Sequence, residues 1–371
     1  MDEPLRRTPL FEEMKKAGGK IVPFAGYEMP VQFAGIIEEH NTVRRAAGLF
    51  DVSHMCEFWL DGPDALEYAH WLVTNDVKGL VDGQICYTPM CTPEGVIVDD
   101  LLVYRYGKER VLLVVNAACH DKDLAHVRKY VRGKVTVTDK SYETGQIALQ
   151  GPKAFEIVGR VPGGAAFTGL EFFHFKEGTL AGKPCLVSRT GYTAEDGVEI
   201  YAGNEDMVAV FRAVMEAGAP LGLKPIGLGA RDTLRLEGKL MLYGNDIDLT
   251  TTPLEAQLGW TVKWDVGDFN GRAALAAQKE QGLTRRLLGL EMTGKGIARH
   301  GYPVVAAGAG PEAQPIGHVT SGAPSPTLGR NIGLAYLPNP GYKVGDRVGV
   351  VIRGKVIEAA IVKTPFYKRP A

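Results

Sequence analysis

The sequence predicts an α+β protein that ends in a separate all-β segment, and three observations carry this. Strand-like and helix-like runs are interspersed without a steady βαβ rhythm, which favours antiparallel sheets over a doubly wound parallel one. After residue 281 the helical periodicity stops, and short apolar runs alternate with Gly, Pro and Asn turns, as in a small barrel or sandwich. The length, 371 residues, suits two or three domains and a core large enough to need no disulfide or metal staple.

Thr8-Pro9 opens a short helix that Gly18-Gly19 closes, with capping residue, first-turn proline and terminal glycine in order. Residues 36–47 read as a second helix stopped by Gly48, and residues 63–72, 122–131, 153–158 and 207–217 as further helices. Between them, residues 57–60, 85–89, 96–106, 111–116, 185–189 and 198–201 read as strands. In the last segment the expected strands are 287–292, 315–320, 332–336, 348–352 and 357–362, with an exposed loop over 306–314. There is no internal repeat and no low-complexity tract.

Composition excludes several functions. The formal net charge is −1, so no global basic field gathers nucleic acid or an anionic membrane. The five cysteines, Cys56, Cys86, Cys91, Cys119 and Cys185, are odd in number and scattered, with neither a disulfide framework nor zinc-ligand spacing. A reducing compartment is expected. The first eight residues are charged, unlike a secretory signal, and no apolar run approaches a membrane span. The chain is expected to be cytoplasmic, or a mature protein of the mitochondrial matrix, with no nucleic-acid or membrane partner.

Thr92-Pro-Glu-Gly95 has proline second and glycine fourth, a type I turn signal, so the flanking strands should form a hairpin. Strand alternation puts Asp100 on one face with Val96, Val98, Leu102 and Tyr104, and Asp99 on the other, so the two carboxylates do not converge. If Cys91 pairs with Val96, Asp100 sits opposite Tyr87, one carboxylate between two phenols on an apolar face. The same pattern suits a structural aspartate, and a slip of one residue undoes it.

Three other segments hold polar candidates. Glu199 alternates away from Val198 and Ile200 and suits either a bidentate acceptor for a flat amidine-like edge or a solvated outer face. Tyr192 is placed at the tip of the preceding loop. Gly227-Leu-Gly-Ala-Arg-Asp232 is a glycine-rich helix entry without dinucleotide or P-loop spacing; Arg231 there suits an anion, or a salt bridge to Asp232 or Glu237. His54 and Cys56 share strand parity, the arrangement of a nucleophile and base, and equally of ordinary packing.

Taken together, the segments Thr8-Pro-Leu-Phe11, Phe24-Ala-Gly-Tyr-Glu-Met-Pro30, Gly48-Leu-Phe-Asp-Val-Ser-His-Met55, Val98-Asp-Asp-Leu101, Val115-Asn-Ala117 and Gln150-Gly-Pro152 are in a distinctive order. They continue with Ser188-Arg-Thr-Gly-Tyr192, Gly227 to Asp232, Leu242-Tyr-Gly-Asn-Asp246, Leu258-Gly-Trp260, Ser325-Pro-Thr-Leu328 and Pro365-Phe-Tyr367. Over nearly its whole length the chain resembles the aminomethyltransferases, or T-proteins, of the glycine cleavage system.

The resemblance implies a folate-binding catalytic region, residues 1–281, of two α+β subdomains around a central channel, and a C-terminal β-barrel, residues 282–371. It implies transfer of the methylene carbon from the aminomethyl-dihydrolipoyl arm of lipoylated H-protein to tetrahydrofolate, a co-substrate, with ammonia released and no metal required. The family's essential aspartate falls on Asp100. Glu199 is implied to bind the pterin's amino edge, Arg231 and Tyr367 to hold the folate, and Tyr87, Tyr104, Met55, Asn116 and Tyr192 to line the pocket. Two positions depart from the family pattern: Cys56 and Ala194 stand where glycine is usual.

Overall fold

The computed structural model describes residues 4–369; residues 1–3, part of the charged N-terminal segment, lie outside the described residues. In chain order the elements are α1 (Phe11–Lys16), β1 (Lys20–Phe24), β2 (Tyr27–Gln32), α2 (Ile36–Arg45), β3 (Gly48–Asp51), β4 (Cys56–Asp61), α3 (Ala65–Leu72), β5 (Ile85–Cys91), β6 (Ile97–Arg105) and β7 (Arg110–Val115). There follow α4 (His120–Lys129), β8 (Thr136–Asp139), β9 (Thr144–Gln150), α5 (Ala154–Arg160), β10 (Phe175–Leu180), β11 (Lys183–Ser188), β12 (Gly197–Gly203), α6 (Asn204–Gly218), β13 (Lys224–Ile226), α7 (Leu228–Glu237) and α8 (Arg272–Gln281). The last six strands are β14 (Arg285–Met292), β15 (Pro303–Ala306), β16 (Gly317–Ser325), β17 (Arg330–Pro338), β18 (Arg347–Ile352) and β19 (Lys355–Val362). The predicted mixture of helices and mainly antiparallel sheets is observed.

The chain divides into two compact units. The first is Met1–Thr88 with Leu101–Asp232; the second is Pro89–Asp100 with Thr233–Ala371. In the first unit a six-stranded sheet runs β10-β11-β12-β9-β3-β13, antiparallel except for the β13–β3 pair. Helices α5 and α6 pack on one face. On α6, Met207, Val210, Phe211 and Val214 recur at helical spacing and are buried, meeting Val198 and Ile200 of β12 and Ile147 and Leu149 of β9. Each such side chain contributes about 2 kcal/mol on burial. Glu205 and Asp206 in the first turn of α6 complement the helix dipole.

A second sheet runs β5-β6-β7-β4-β8. Its Ile85, Tyr104, Leu112 and Val114 pack against Phe175, Leu186 and Tyr201 of the first sheet, forming a buried layer between the two. This layer positions the polar groups described below. The sequence reading did not foresee the hairpin of β1 and β2, where Ala25 and Gly26 lie at φ 48° and 80° and make a two-residue turn.

In the second unit, the turn at residues 92–95 forms as expected, with Gly95 N donating to Thr92 O at 2.9 Å. The register differs by one residue, however. Thr92 N donates to Val96 O, so Thr92, not Cys91, faces Val96; Gly95 at φ 80° absorbs the extra residue. The opposition of Tyr87 and Asp100 required the other register and its premise is lost. Strands β14-β17-β16-β15-β18-β19 close into a barrel, β14 pairing with both β17 and β19. Leu288, Leu290, Val304, Val319, Ala335, Val348, Val350 and Ile361 fill it, which decides between barrel and sandwich. The four-residue β15 escaped the sequence reading because it is too short to show alternation. No helix among the described residues is long and apolar enough to cross a membrane.

Candidate functional site

Strand alternation builds the site in the first unit. Val198 and Ile200 face the helices, so Glu199 and Tyr201 face the layer between the sheets; on β9, Gln146 does the same between core positions. There six buried side chains close a hydrogen-bonded ring. Thr190 Oγ1 donates to Glu199 Oε2 at 2.5 Å, and Gln146 Nε2 donates to Glu199 Oε1 at 3.2 Å and to the Tyr201 hydroxyl at 3.1 Å. The Tyr201 and Tyr104 hydroxyls lie 2.8 Å apart, Tyr104 donates to Ser188 Oγ at 3.1 Å, and Ser188 Oγ lies 2.7 Å from Thr190 Oγ1.

Burial raises the Glu199 pKa, against the lowering effects of the Thr190 bond, the Arg231 charge and Gln146. Burial and the nearby Glu199 charge raise Tyr104, which stays a phenol. Each Glu199 oxygen accepts one of these bonds, so each keeps a second lone pair for a further donor. Arg231, in the first turn of α7, stacks its guanidinium 4.5 Å from the centre of the Tyr192 ring.

Glu199, Tyr104, Arg231 and Tyr192 are thus tied together by bonds, stacking or charge. Met55 packs against the same buried layer, and Asn116 directly follows β7. Tyr87 lies on β5, where its carbonyl accepts from Asn75 Nδ2 at 2.9 Å. Asp100 and Tyr367 belong to the second unit. Asp100 is 8% exposed and Asp99 fully buried on β6, while Tyr367 N donates to Glu237 O at 2.8 Å. In the second unit, Glu237 accepts from the Ser325 and Thr327 hydroxyls.

The sequence reading missed Gln146, Thr190, Ser188 and Tyr201. Their signal was present: in Gly145-Gln-Ile-Ala-Leu-Gln150, glutamines alternate with core aliphatics, which marks a polar inner face. The pairing of His54 with Cys56 is not formed. His54 lies in a turn before β4, and Cys56 Sγ contacts the His54 carbonyl at 3.8 Å, not its ring. Burial raises the Cys56 pKa, and burial with the Arg231 charge lowers His54 to about 3. A neutral thiol beside a neutral imidazole is no nucleophile.

Residues 10–266 match the GCVT N-terminal domain, and residues 285–368 match the glycine cleavage T-protein C-terminal barrel domain. The chain belongs to the glycine cleavage T-protein family. Relatives of this T-protein include the aminomethyltransferases of Desulfitobacterium hafniense strain Y51, 49% identical with 98% of this chain and 99% of the relative covered, and of Bacillus subtilis, 47% identical with 98% and 100% covered. A solved structure, the glycine cleavage system aminomethyltransferase T from Bartonella henselae, superposes with a TM-score of 0.90 at 32% identity, covering 98% of each chain. Cys56 is a buried free thiol, and Ala194 sits at φ 60°, a conformation that favours glycine.

Proposed function

We propose that the chain transfers the methylene carbon of the aminomethyl group on the dihydrolipoyl arm of H-protein to tetrahydrofolate, releasing ammonia and giving 5,10-methylenetetrahydrofolate. Membership of the family carries the coarser statement, an aminomethyltransferase of the glycine cleavage system. The folate part rests on one observation above all: a buried carboxylate, Glu199, held by two neutral donors with a lone pair left on each oxygen. Such a group suits the paired N–H donors of an aminopterin edge, and bidentate charge-assisted bonds of this kind are strong.

In this reading residues 1–281 form the catalytic region and residues 282–371 the barrel. Glu199 fixes the pterin, Arg231 and Tyr367 hold the folate, and Tyr87, Tyr104, Met55, Asn116 and Tyr192 line the pocket. Tetrahydrofolate supplies the nitrogens that accept the carbon. Asp100 stays ionised, orients the bridging N10 and faces the positive charge that develops as the carbon leaves sulfur. A carboxylate about 4 Å from that charge is worth roughly 4 kcal/mol at an effective dielectric near 20. Preorganised charge of this sort is commonly the largest single contribution to catalysis.

The test is an assay with aminomethyl-loaded, lipoylated H-protein and tetrahydrofolate. Formation of methylenetetrahydrofolate with an equal yield of ammonia is expected. Turnover of a sulfonium or ether methyl donor without H-protein would instead make the chain a demethylase on the same scaffold.

A further inference from the structure

Behind the hydrogen-bonded ring, the first unit contains a cavity of about 370 Å³ whose wall includes Glu57, Trp59, Tyr106, Leu112, Glu177 and Tyr201. None of the residues assigned above to folate or to catalysis lines it. Its volume is at the lower end of those that hold small ligands.

Glu57 and Trp59 alternate with Phe58 and Leu60 on β4, so they face the cavity while the other two fill the core. The Glu57 main chain is fixed: its N–H donates to Ser141 Oγ at 3.0 Å, and its carbonyl accepts from Lys140 N at 2.9 Å. Its side chain is not. Glu57 is 2% exposed, yet neither carboxyl oxygen has a hydrogen-bond partner. A buried acid in this state is costly unless something supplies donors.

The rest of the wall says what kind of donor. Glu177 adds a second carboxylate, accepting from the Tyr106 hydroxyl at 3.0 Å. The Trp59 and Tyr106 rings lie 5.0 Å apart and, with Leu112, offer an apolar surface. Among the described residues, no lysine or arginine lines the cavity. Arg110, stacked on Trp59 at 4.1 Å, is directed to Asp61 at 3.6 Å. Two carboxyl groups and two ring faces favour a guest that brings N–H donors and positive charge.

We propose that this cavity binds a small organic ammonium ion, with Glu57 as its counter-ion. A turn of the Glu57 side chain, which no hydrogen bond holds, brings its oxygens to the guest's N–H groups, and the aliphatic body lies against Trp59, Tyr106 and Leu112. Burial, then the charge of Asp139, raises the Glu57 pKa. A cation beside the carboxyl opposes that rise, so binding draws protons from Glu57 to solvent as the ion pair forms. The other groups around it are Cys56, Tyr106, Glu177 and Tyr201, with Arg110 beyond Trp59.

The test is calorimetry of the full chain without folate, so that its outcome is independent of the reading above. The titrants are n-propylammonium chloride and, as a neutral match, propan-1-ol, each in two buffers of different ionisation heat near neutral pH. Propylammonium should bind about tenfold or more tighter than propanol, with net proton release. Glu57→Gln, its fold checked by thermal melting, should lose that preference and the proton release. Should that variant not fold, exposed Glu177→Gln is read instead, and a severalfold weaker affinity is expected. Equal binding of the two titrants, no binding of either, or unchanged affinity in the folded variant overturns the proposal.

Discussion

The Thr190 hydroxyl donates to Glu199 at 2.5 Å, and Thr190 is itself backed by Ser188 at 2.7 Å, so the acceptor face of the carboxylate is oriented before any ligand arrives. Glu199→Ala should therefore weaken tetrahydrofolate binding by about 10- to 100-fold, since hydrogen bonds to a charged group are each worth about 1.5–3 kcal/mol. Calorimetry measures it, and an unchanged affinity removes Glu199 from the site. The pH dependence has a definite sign. Burial raises the Glu199 pKa, so protonation, which removes acceptor capacity, begins at a higher pH than for an ordinary glutamate, and affinity should fall as pH drops through that raised value.

How much of this was legible in the sequence depends on whether the signal was local. Strand parity set Glu199 off the face of Val198 and Ile200 but left it between an inner acceptor and a solvated outer face, and only the resemblance gave it a pterin role. Tyr104 was legible by the same rule. The ring that holds Glu199 was not, because it joins β6, β9, β11 and β12, and pairing between distant strands has no local signature. The β1–β2 hairpin was missed because its turn places Ala25 at positive φ, where glycine or asparagine would have announced it. The register at the turn went wrong by one residue because proline and glycine positions specify a type I turn, but not the extra residue that Gly95 accommodates.

Asp100 and Asp99 are adjacent carboxylates on opposite faces of β6, and the proposed mechanism uses only one. Asp100→Asn should keep tetrahydrofolate binding within a fewfold and lower turnover about 100- to 1000-fold, the usual cost of removing one group that stabilises developing charge. Asp99→Asn should cost far less in turnover. Single-turnover kinetics with loaded H-protein distinguishes chemistry from binding. Near-normal turnover in Asp100→Asn would sink the assigned role.

Ala194 at φ 60° is held there from both sides. Arg44 Nη1 donates to Thr193 O at 2.6 Å and pairs with Glu195 at 3.1 Å, and Thr193 Oγ1 donates to Gln150 at 2.8 Å. A left-handed conformation costs a non-glycine residue about 1–2 kcal/mol. Glycine gives back part of that gain, about 0.4–1 kcal/mol, through the freer unfolded chain. Ala194→Gly should thus stabilise the protein by up to about 1 kcal/mol in urea unfolding. A clear loss of stability would show that the methyl group packs favourably enough to outweigh the strain.

The segment Leu242-Tyr-Gly-Asn-Asp246 has a structural explanation in the second unit, independent of any ligand. Arg235 Nη1 meets Asp246 Oδ2 at 2.6 Å, with 2% and 0% of the two side chains exposed. Asp246 also accepts from Thr320 Oγ1 at 2.6 Å and from Leu242 N at 3.1 Å, while Arg235 Nη2 donates to Ser321 Oγ at 2.9 Å. Removing one partner leaves a charge buried without its counter-ion, which commonly costs about 3–5 kcal/mol, whereas replacing both by apolar groups costs far less. Asp246→Ala should therefore destabilise the chain by about 3–5 kcal/mol. Arg235→Met combined with Asp246→Leu should recover most of that loss, unless the freed Thr320 and Ser321 hydroxyls find no new partners. Urea unfolding of the two variants side by side checks both statements. A single-variant loss below about 1 kcal/mol would mean that water reaches Arg235 once the carboxylate is gone.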